Sequence, residues 1–171
     1  AASKQSDAIV RLYVASAMQR LDLDRRWSIA QAILSHEADS KDRNIPLVAW
    51  YGIEPLVAKD PKRALALANT SRIPMVGQYI VRRAAADSEG LDALVSEMTQ
   101  WTAEQQKSTL EQILQSMEGR VNVPQPKSWT DAYEQLAKSE VPETRDLALR
   151  AAVAFGDRKS TRLNSSHLVI S

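Results

Sequence analysis

Residues 9–21 read Ile9-Val10-Arg11-Leu12-Tyr13-Val14-Ala15-Ser16-Ala17-Met18-Gln19-Arg20-Leu21. Ile9, Val10, Tyr13, Val14, Ala17, Met18 and Leu21 recur at intervals of three and four. That spacing draws one apolar stripe along a helix and does not suit a strand, whose period is two. Ser6 is placed to cap this helix, with Asp7 in its first turn. The same period returns along the chain. After a break at 21–24, a second helix is expected near 25–37, with Trp27, Ala30, Ile33 and Leu34 inward. A polar loop follows over 38–45.

Proline and glycine punctuate the remainder. Pro46 opens a third helix, where its missing N–H costs nothing. Asp60-Pro61 is a cap followed by a first-turn proline, and Ile73-Pro74 starts a fifth helix running to about residue 86. Residues 89–99 form a sixth. Thr102, followed by Glu104 and Gln105, begins a seventh, lined by Leu110, Ile113, Leu114 and Met117 and ended by Gly119. Residues 120–127, with Pro124 and Pro126, read as extended. Ser128 caps an eighth helix near 129–138. Pro142 opens a ninth that ends at Phe155, with Gly156 just beyond. The expected fold class is all-α: an irregular α-solenoid of about nine helices joined by short loops.

The chain has 171 residues, of which 44% are apolar and 25% charged, with 22 Lys/Arg against 21 Asp/Glu. That is enough to bury a sizeable core. No apolar run reaches the roughly 18 residues of a membrane span, so no membrane insertion is expected. With no cysteine, disulfides, thiolate catalysis, Cys-ligated zinc and covalent c-type haem attachment are excluded for these residues.

The C-terminal stretch Asp157-Arg158-Lys159-Ser160-Thr161-Arg162-Leu163-Asn164-Ser165-Ser166-His167 resembles one reading frame of a common sequencing-library adapter. Residues 157–171 are therefore expected to be an artefact, although Asp157 could equally be native. Residues 1–156 are expected to be an internal fragment of a longer protein. Removing the tail's surplus of two positive charges leaves about −1 for 1–156, and His36 as their sole histidine. A surface built to neutralise phosphates is not indicated by that balance, so nucleic acid is not the expected partner.

An internal echo links the two ends. Val10-Arg11 leads to Ala17 and Leu21, and Thr144-Arg145 leads to Ala151 and Phe155. Counted from each Arg, a small residue falls at +6 and a large apolar one at +10. This resembles the second helix of a HEAT repeat, in which the Arg follows the turn. The resemblance implies structural roles for Arg11 and Arg145, each in an ion pair or carbonyl bond at a helix–helix seam.

A wider resemblance rests on V-R-L-Y-V-A-S-A-M-Q-R-L at 10–21, N-I-P-L-V-A-W-Y-G-I-E-P-L-V at 44–57, P-K-R-A-L-A-L-A at 61–68 and F-G-D at 155–157. These resemble the helical segment of large multidomain planctomycete-type cytochromes, also described as membrane-bound dehydrogenases. Those proteins join a propeller-like domain, HEAT-like helices and a C-terminal c-type haem domain. The pattern has His where this chain has Arg43. The resemblance implies an exported or periplasmic parent and a scaffold role for residues 1–156. No C-x-x-C-H is present, so no cofactor is expected in this fragment.

Few residues offer chemistry. His36, Glu37, Asp39 and Asp42 have metal-ligand side chains, but they fall at a helix end and in a loop, where capping and surface charge account for them. Ser35 and His36 are consecutive and point about 100° apart on a helix, and no nucleophile elbow or glycine-rich phosphate loop exists. No enzymatic role is expected. Arg25-Arg26 and Arg82-Arg83 read as solvated helix ends or as contacts to a phosphate backbone. Trp27, Trp101 and Trp129 read as core or staple residues.

Trp50-Tyr51-Gly52-Ile53-Glu54-Pro55 is different. Gly52 and Pro55 both disfavour a helix interior, and a kink or break is expected there. The stretch reads either as a bent core helix or as a partner-facing surface. On the second reading Trp50, Tyr51 and Glu54 are the interaction residues, and neighbouring domains of the parent chain or another protein are the partners. The functional expectation is a non-catalytic scaffold within a larger redox protein. The alternative is a nucleic-acid-binding helical repeat.

Overall fold

The computed structural model describes residues 8–120 and 123–157. Every regular element among them is helical: α1 (Ala8–Met18), α2 (Leu23–Leu34), a short 3₁₀ helix (Glu37–Lys41), α3 (Ile45–Lys59), α4 (Pro61–Thr70), α5 (Pro74–Ala84), α6 (Ser88–Met98), α7 (Ala103–Met117), α8 (Trp129–Leu136) and α9 (Pro142–Ala154). The chain divides after Ala84 into two compact units.

In the first unit, helices that alternate in the chain pack side by side: α1 on α3, and α3 on α5. The intervening α2 and α4 complete the unit against α3 and α5. Two pairs of contacts fix directions. Trp50 meets Tyr79 and Glu54 meets Arg83, so α3 and α5 run parallel. Arg63 lies over Trp27, and the Arg72 N–H donates to the Leu34 carbonyl, so α2 and α4 run parallel too. The core between them holds Ile33, Leu34, Ile53, Leu56, Leu65 and Ile80, each at most 1% exposed.

Alternate packing recurs in the second unit, where α7 packs on α9 and α6 on α8. Trp129 is fully buried, with its ring 4.8 Å from Phe155 edge-on and 5.9 Å from Tyr133. The Ser128 hydroxyl does not cap its own helix. Asp92 of α6 claims it: the Ser128 N–H and Oγ donate to Asp92 Oδ1 at 2.8 and 2.9 Å. The other side-chain caps are local in sequence. Asp60 accepts from the Arg63 N–H, Asp87 from the Gly90 N–H, and Thr102 and Gln105 form a reciprocal capping box. Gly119 and Gly156 take positive φ, 75° and 70°, just past α7 and α9, a backbone that residues with a Cβ rarely adopt. Beyond Gly156, the Asp157 N–H returns to the Ala152 carbonyl at 2.9 Å and the residue is buried. Asp157 thus closes α9. Ser6 and residues 158–171 lie outside the described residues.

Three local expectations change. The buried face of α1 is Arg11, Ala15 and Met18, while Ile9 and Tyr13 of the apolar stripe are 64% and 71% exposed. Part of the expected loop 38–45 is the 3₁₀ helix. And α3 runs unbroken through Gly52 and Pro55. A Cβ on Gly52 would lie 2.4 Å from the buried Met18 Cε, so glycine here admits the end of α1 and need not end the helix. Pro55 removes only the N–H that would serve Tyr51, an exposed residue. Burial of Ile53, Leu56 and Val57 on the other side holds the helix together.

Two aspartates tie these helices to pH. Asp42 accepts the N–H groups of Ile45 and Asn44, both at 2.8 Å, at the start of α3. These bonds, with help from the Arg11 charge, hold its carboxyl below the ordinary value against a small effect of burial. At Asp92, burial pushes the other way, but bonds from Ser128 and Lys127 and the Lys127 charge outweigh it and again lower the pKa. A depressed folded-state pKa means that the unfolded chain binds more protons as pH falls. The stabilisation is therefore complete above the ordinary aspartate value of about 3.9 and is lost as pH drops through the lower folded-state values. Acid titrations of stability should show a smaller loss below pH 4 for Asp42→Asn and Asp92→Asn than for the parent chain. An unchanged acid limb in both variants contradicts the assignment.

Candidate interaction surface

Trp50 and Glu54 lie one turn apart on α3, opposite Tyr79 and Arg83, one turn apart on α5. The Trp50 and Tyr79 ring centroids are 5.5 Å apart with planes tilted by 55°. Arg83 Nε donates to Glu54 Oε1 at 3.0 Å. Both layers are half-buried. Of the three residues the sequence singles out here, Trp50 and Glu54 are thus engaged with a neighbouring helix. Tyr51, about 100° further round, is 55% exposed.

Tyr51 has company. Leu47, one turn earlier on α3, is 39% exposed, and Ile9 and Tyr13 form the same one-turn pair on α1. Among the described residues five large apolar side chains are exposed, and all but Val153 belong to these two adjoining helices. Exposed apolar residues scattered singly need no explanation, whereas contiguous apolar patches mark interaction sites.

The two arginines of the internal echo sit in different environments. Arg11 is 3% exposed and makes a two-pronged ion pair with Asp39, which is 2% exposed: Nε to Oδ2 at 2.5 Å and Nη2 to Oδ1 at 2.6 Å. Arg145 is exposed, and its Nη1 donates at 2.6 Å to the Ser139 carbonyl in the turn before its own helix. Arg26 carries a role that the sequence reading missed. Its guanidinium donates to the carbonyls of Leu21 and Gln19 at 2.8 Å each and of Gly52 at 3.2 Å. It satisfies the end of α1 and ties it to α3. An arginine one turn past a helix break is the available signal, since terminal carbonyls lack intrahelical donors.

The residues with metal-ligand side chains disperse. Asp39 belongs to Arg11, Asp42 caps α3, and His36 is the residue preceding the 3₁₀ helix. Among the described residues no group of three or more His, Cys, Asp or Glu could hold a metal ion. None of the described helices is long and apolar enough to cross a membrane. A shallow groove of about 220 Å³ runs between α2 and α4, with the Arg63 guanidinium 4.5 Å above the Trp27 ring at one end and Thr70 at the other.

Charge is segregated by unit. Residues 8–84 carry 12 Lys/Arg against 7 Asp/Glu, a surplus of +5, and residues 85–157 carry 6 against 13, a deficit of −7. In the first unit most carboxylates are already committed: Asp24 to Lys59, Asp39 to Arg11, Glu54 to Arg83, and Asp42 and Asp60 to helix caps. No family model, no curated protein and no solved structure matches this chain.

These placements separate two kinds of aromatic residue and one kind of ion pair. Trp50→Ala should cost about 2 kcal/mol, from half-burial and the lost ring pair, whereas Tyr51→Ser should stay within about 0.5 kcal/mol of the parent, as exposed substitutions do. Denaturant melts decide, and equal effects at both positions refute the distinction. Arg11→Met alone should cost about 3–5 kcal/mol, because it leaves the Asp39 carboxylate buried and unpaired. Combining it with Asp39→Leu should recover most of that loss. Additive losses in the double variant contradict a direct pair.

Proposed function

We propose that this chain is a HEAT-like helical scaffold, a non-catalytic interaction segment of a larger protein. The observation that carries the reading is the parallel stacking of alternate helices in the first unit. Contacts between alternate helices fall at offsets of 36 and 38 residues from α2 to α4 (Trp27 to Arg63, Leu34 to Arg72) and of 29 from α3 to α5 (Trp50 to Tyr79, Glu54 to Arg83). Those offsets fall within the 20–50 residues of one helical-repeat unit. On this reading each helical hairpin would cover the apolar face of the one before it, the way a repeat protein builds its core. The second unit, with α7 on α9 and α6 on α8, supports the same reading.

The partners are neighbouring domains of a parent chain or another protein, and the clustered exposed residues of α1 and α3 favour protein over solvent as their environment. On the sequence resemblance to multidomain cytochromes, the proposed parent is a redox protein acting outside the cytoplasm. The complete open reading frame tests that parentage. A C-x-x-C-H encoded downstream is expected, and a complete gene without one overturns the redox assignment.

A nucleic-acid-binding helical repeat is the second reading, and the +5 surplus of residues 8–84 favours it. The −7 of residues 85–157 opposes it only for a polyanion long enough to reach that half as well, since screening confines each unit's charge to its own surroundings. Gel-shift titrations of duplex DNA against salt separate the two readings. The scaffold reading expects no binding at 150 mM salt. Submicromolar binding with a steep salt slope, weakened by Arg63→Gln and Arg72→Gln, favours the nucleic-acid reading.

A further inference from the structure

We propose that the solvent faces of α1 and α3, built on Ile9, Tyr13, Leu47 and Tyr51, dock an acidic amphipathic helix of a partner protein. The inference rests on the scaffold reading above and names the chemistry of the partner.

Geometry comes first. Ile9 and Tyr13, and separately Leu47 and Tyr51, are pairs separated by one helical turn on directly packed helices. Each pair forms a ridge that a helix presenting apolar residues at i, i+3/i+4 and i+7 can straddle. On α3 the ridge is defined by what its other sides do: Gly52 faces Met18 of α1, Trp50 and Glu54 face α5, and Ile53 and Leu56 are in the core. Of the exposed α3 positions 47, 51, 58 and 59, only 47 and 51 carry large apolar side chains. Tyrosine is suited to the task, having large area, few rotors and a hydroxyl that stays hydrated at an interface rim.

Charge then selects the occupant. Residues 8–20 contain no acidic side chain, and the one carboxylate of α3, Glu54, is paired with Arg83. Arg20, Arg43 and Arg82 are exposed on or next to the helices of this layer. A second copy of the chain meeting this face by two-fold symmetry brings these cations against themselves, in a unit already at +5. Four partly exposed side chains are also a small apolar area for a stable dimer, which needs about 1,200–2,000 Å² in total. A helix with apolar residues on one face and Glu or Asp flanking them fills the ridge and meets the cations.

The test uses a fluorescein-labelled 20-residue peptide with Leu at helical a/d spacing and Glu at the flanking positions. One control replaces Glu by Lys, and a second scrambles the order at constant composition. Anisotropy titrations with the whole chain should give micromolar affinity for the acidic helix, weakening with salt, and at least tenfold weaker binding of both controls. Tyr13→Ser/Tyr51→Ser should lose at least tenfold while its melting temperature stays at the parent value. Leu47→Gln provides an independent variant of the same ridge. Equal binding of the Lys peptide, or no effect of the ridge variants, overturns the proposal. So does concentration-dependent dimerisation of the chain alone that the tyrosine variants abolish. The parentage of the scaffold is read separately from the open reading frame, so either result can fail without the other.

Discussion

The buried pair between Arg11 and Asp39 sets the rotation of α1, and through it the character of the surface. An isolated charge at 2–3% exposure is prohibitive in free energy, and even a well-paired one gives up much of its attraction to desolvation. What such a pair does supply is geometry. Two parallel hydrogen bonds fix the guanidinium plane against the 3₁₀ helix. With Arg11 inward, Ala15 and Met18 follow it at four and seven residues. Positions two residues either side of Arg11 must then point outward, and these are Ile9 and Tyr13. The exposed ridge is thus a consequence of burying an ion pair on the opposite face.

This explains where the sequence reads truly and where it misleads. Helix positions in this chain are announced by short-range chemistry: Asp60-Pro61, Thr102 with Gln105, Gly119 and Gly156 each act within four residues. Burial is announced only when apolar pattern and core coincide. In α1 they do not, because the residue that goes inside is the arginine and its partner lies 28 positions away. A periodicity argument weighs Ile9 and Tyr13 as core and has no means of seeing Asp39. The HEAT-like echo did draw attention to Arg11. It drew equal attention to Arg145, whose side chain serves only its own preceding turn.

Gly52 and Pro55 teach a related lesson. Each is a poor helix former, and together they suggest a break. Intrinsic propensities of about 1 and 3 kcal/mol for Gly and Pro are nevertheless smaller than the burial of Ile53, Leu56 and Val57, at about 1.5–3 kcal/mol each. Packing therefore decides, and the glycine is used for the approach of Met18. The same balance accommodates the indole N–H of Trp129, which is buried without a hydrogen-bond partner. Its unmet bond costs about 1–3 kcal/mol, while the ring is completely enclosed and stacked edge-on with Phe155.

The near-zero net charge of the whole chain is the least informative number it offers. It sums +5 from residues 8–84, −7 from 85–157 and +3 from 158–171. In the first unit, carboxylates are placed where they do internal work, in ion pairs and caps, so few are left to balance the cations outside. In the second unit, acids outnumber bases 13 to 6 over residues 85–157. Glu104, Glu111 and Glu118 follow at seven-residue intervals along and just past α7, all exposed, on the side away from Leu110, Ile113 and Met117. Interaction potential is set by this local surplus over a Debye length of about 8–10 Å, a distance far shorter than the chain. The charge local to the first unit is therefore the +5 of residues 8–84, whatever the sign of the total.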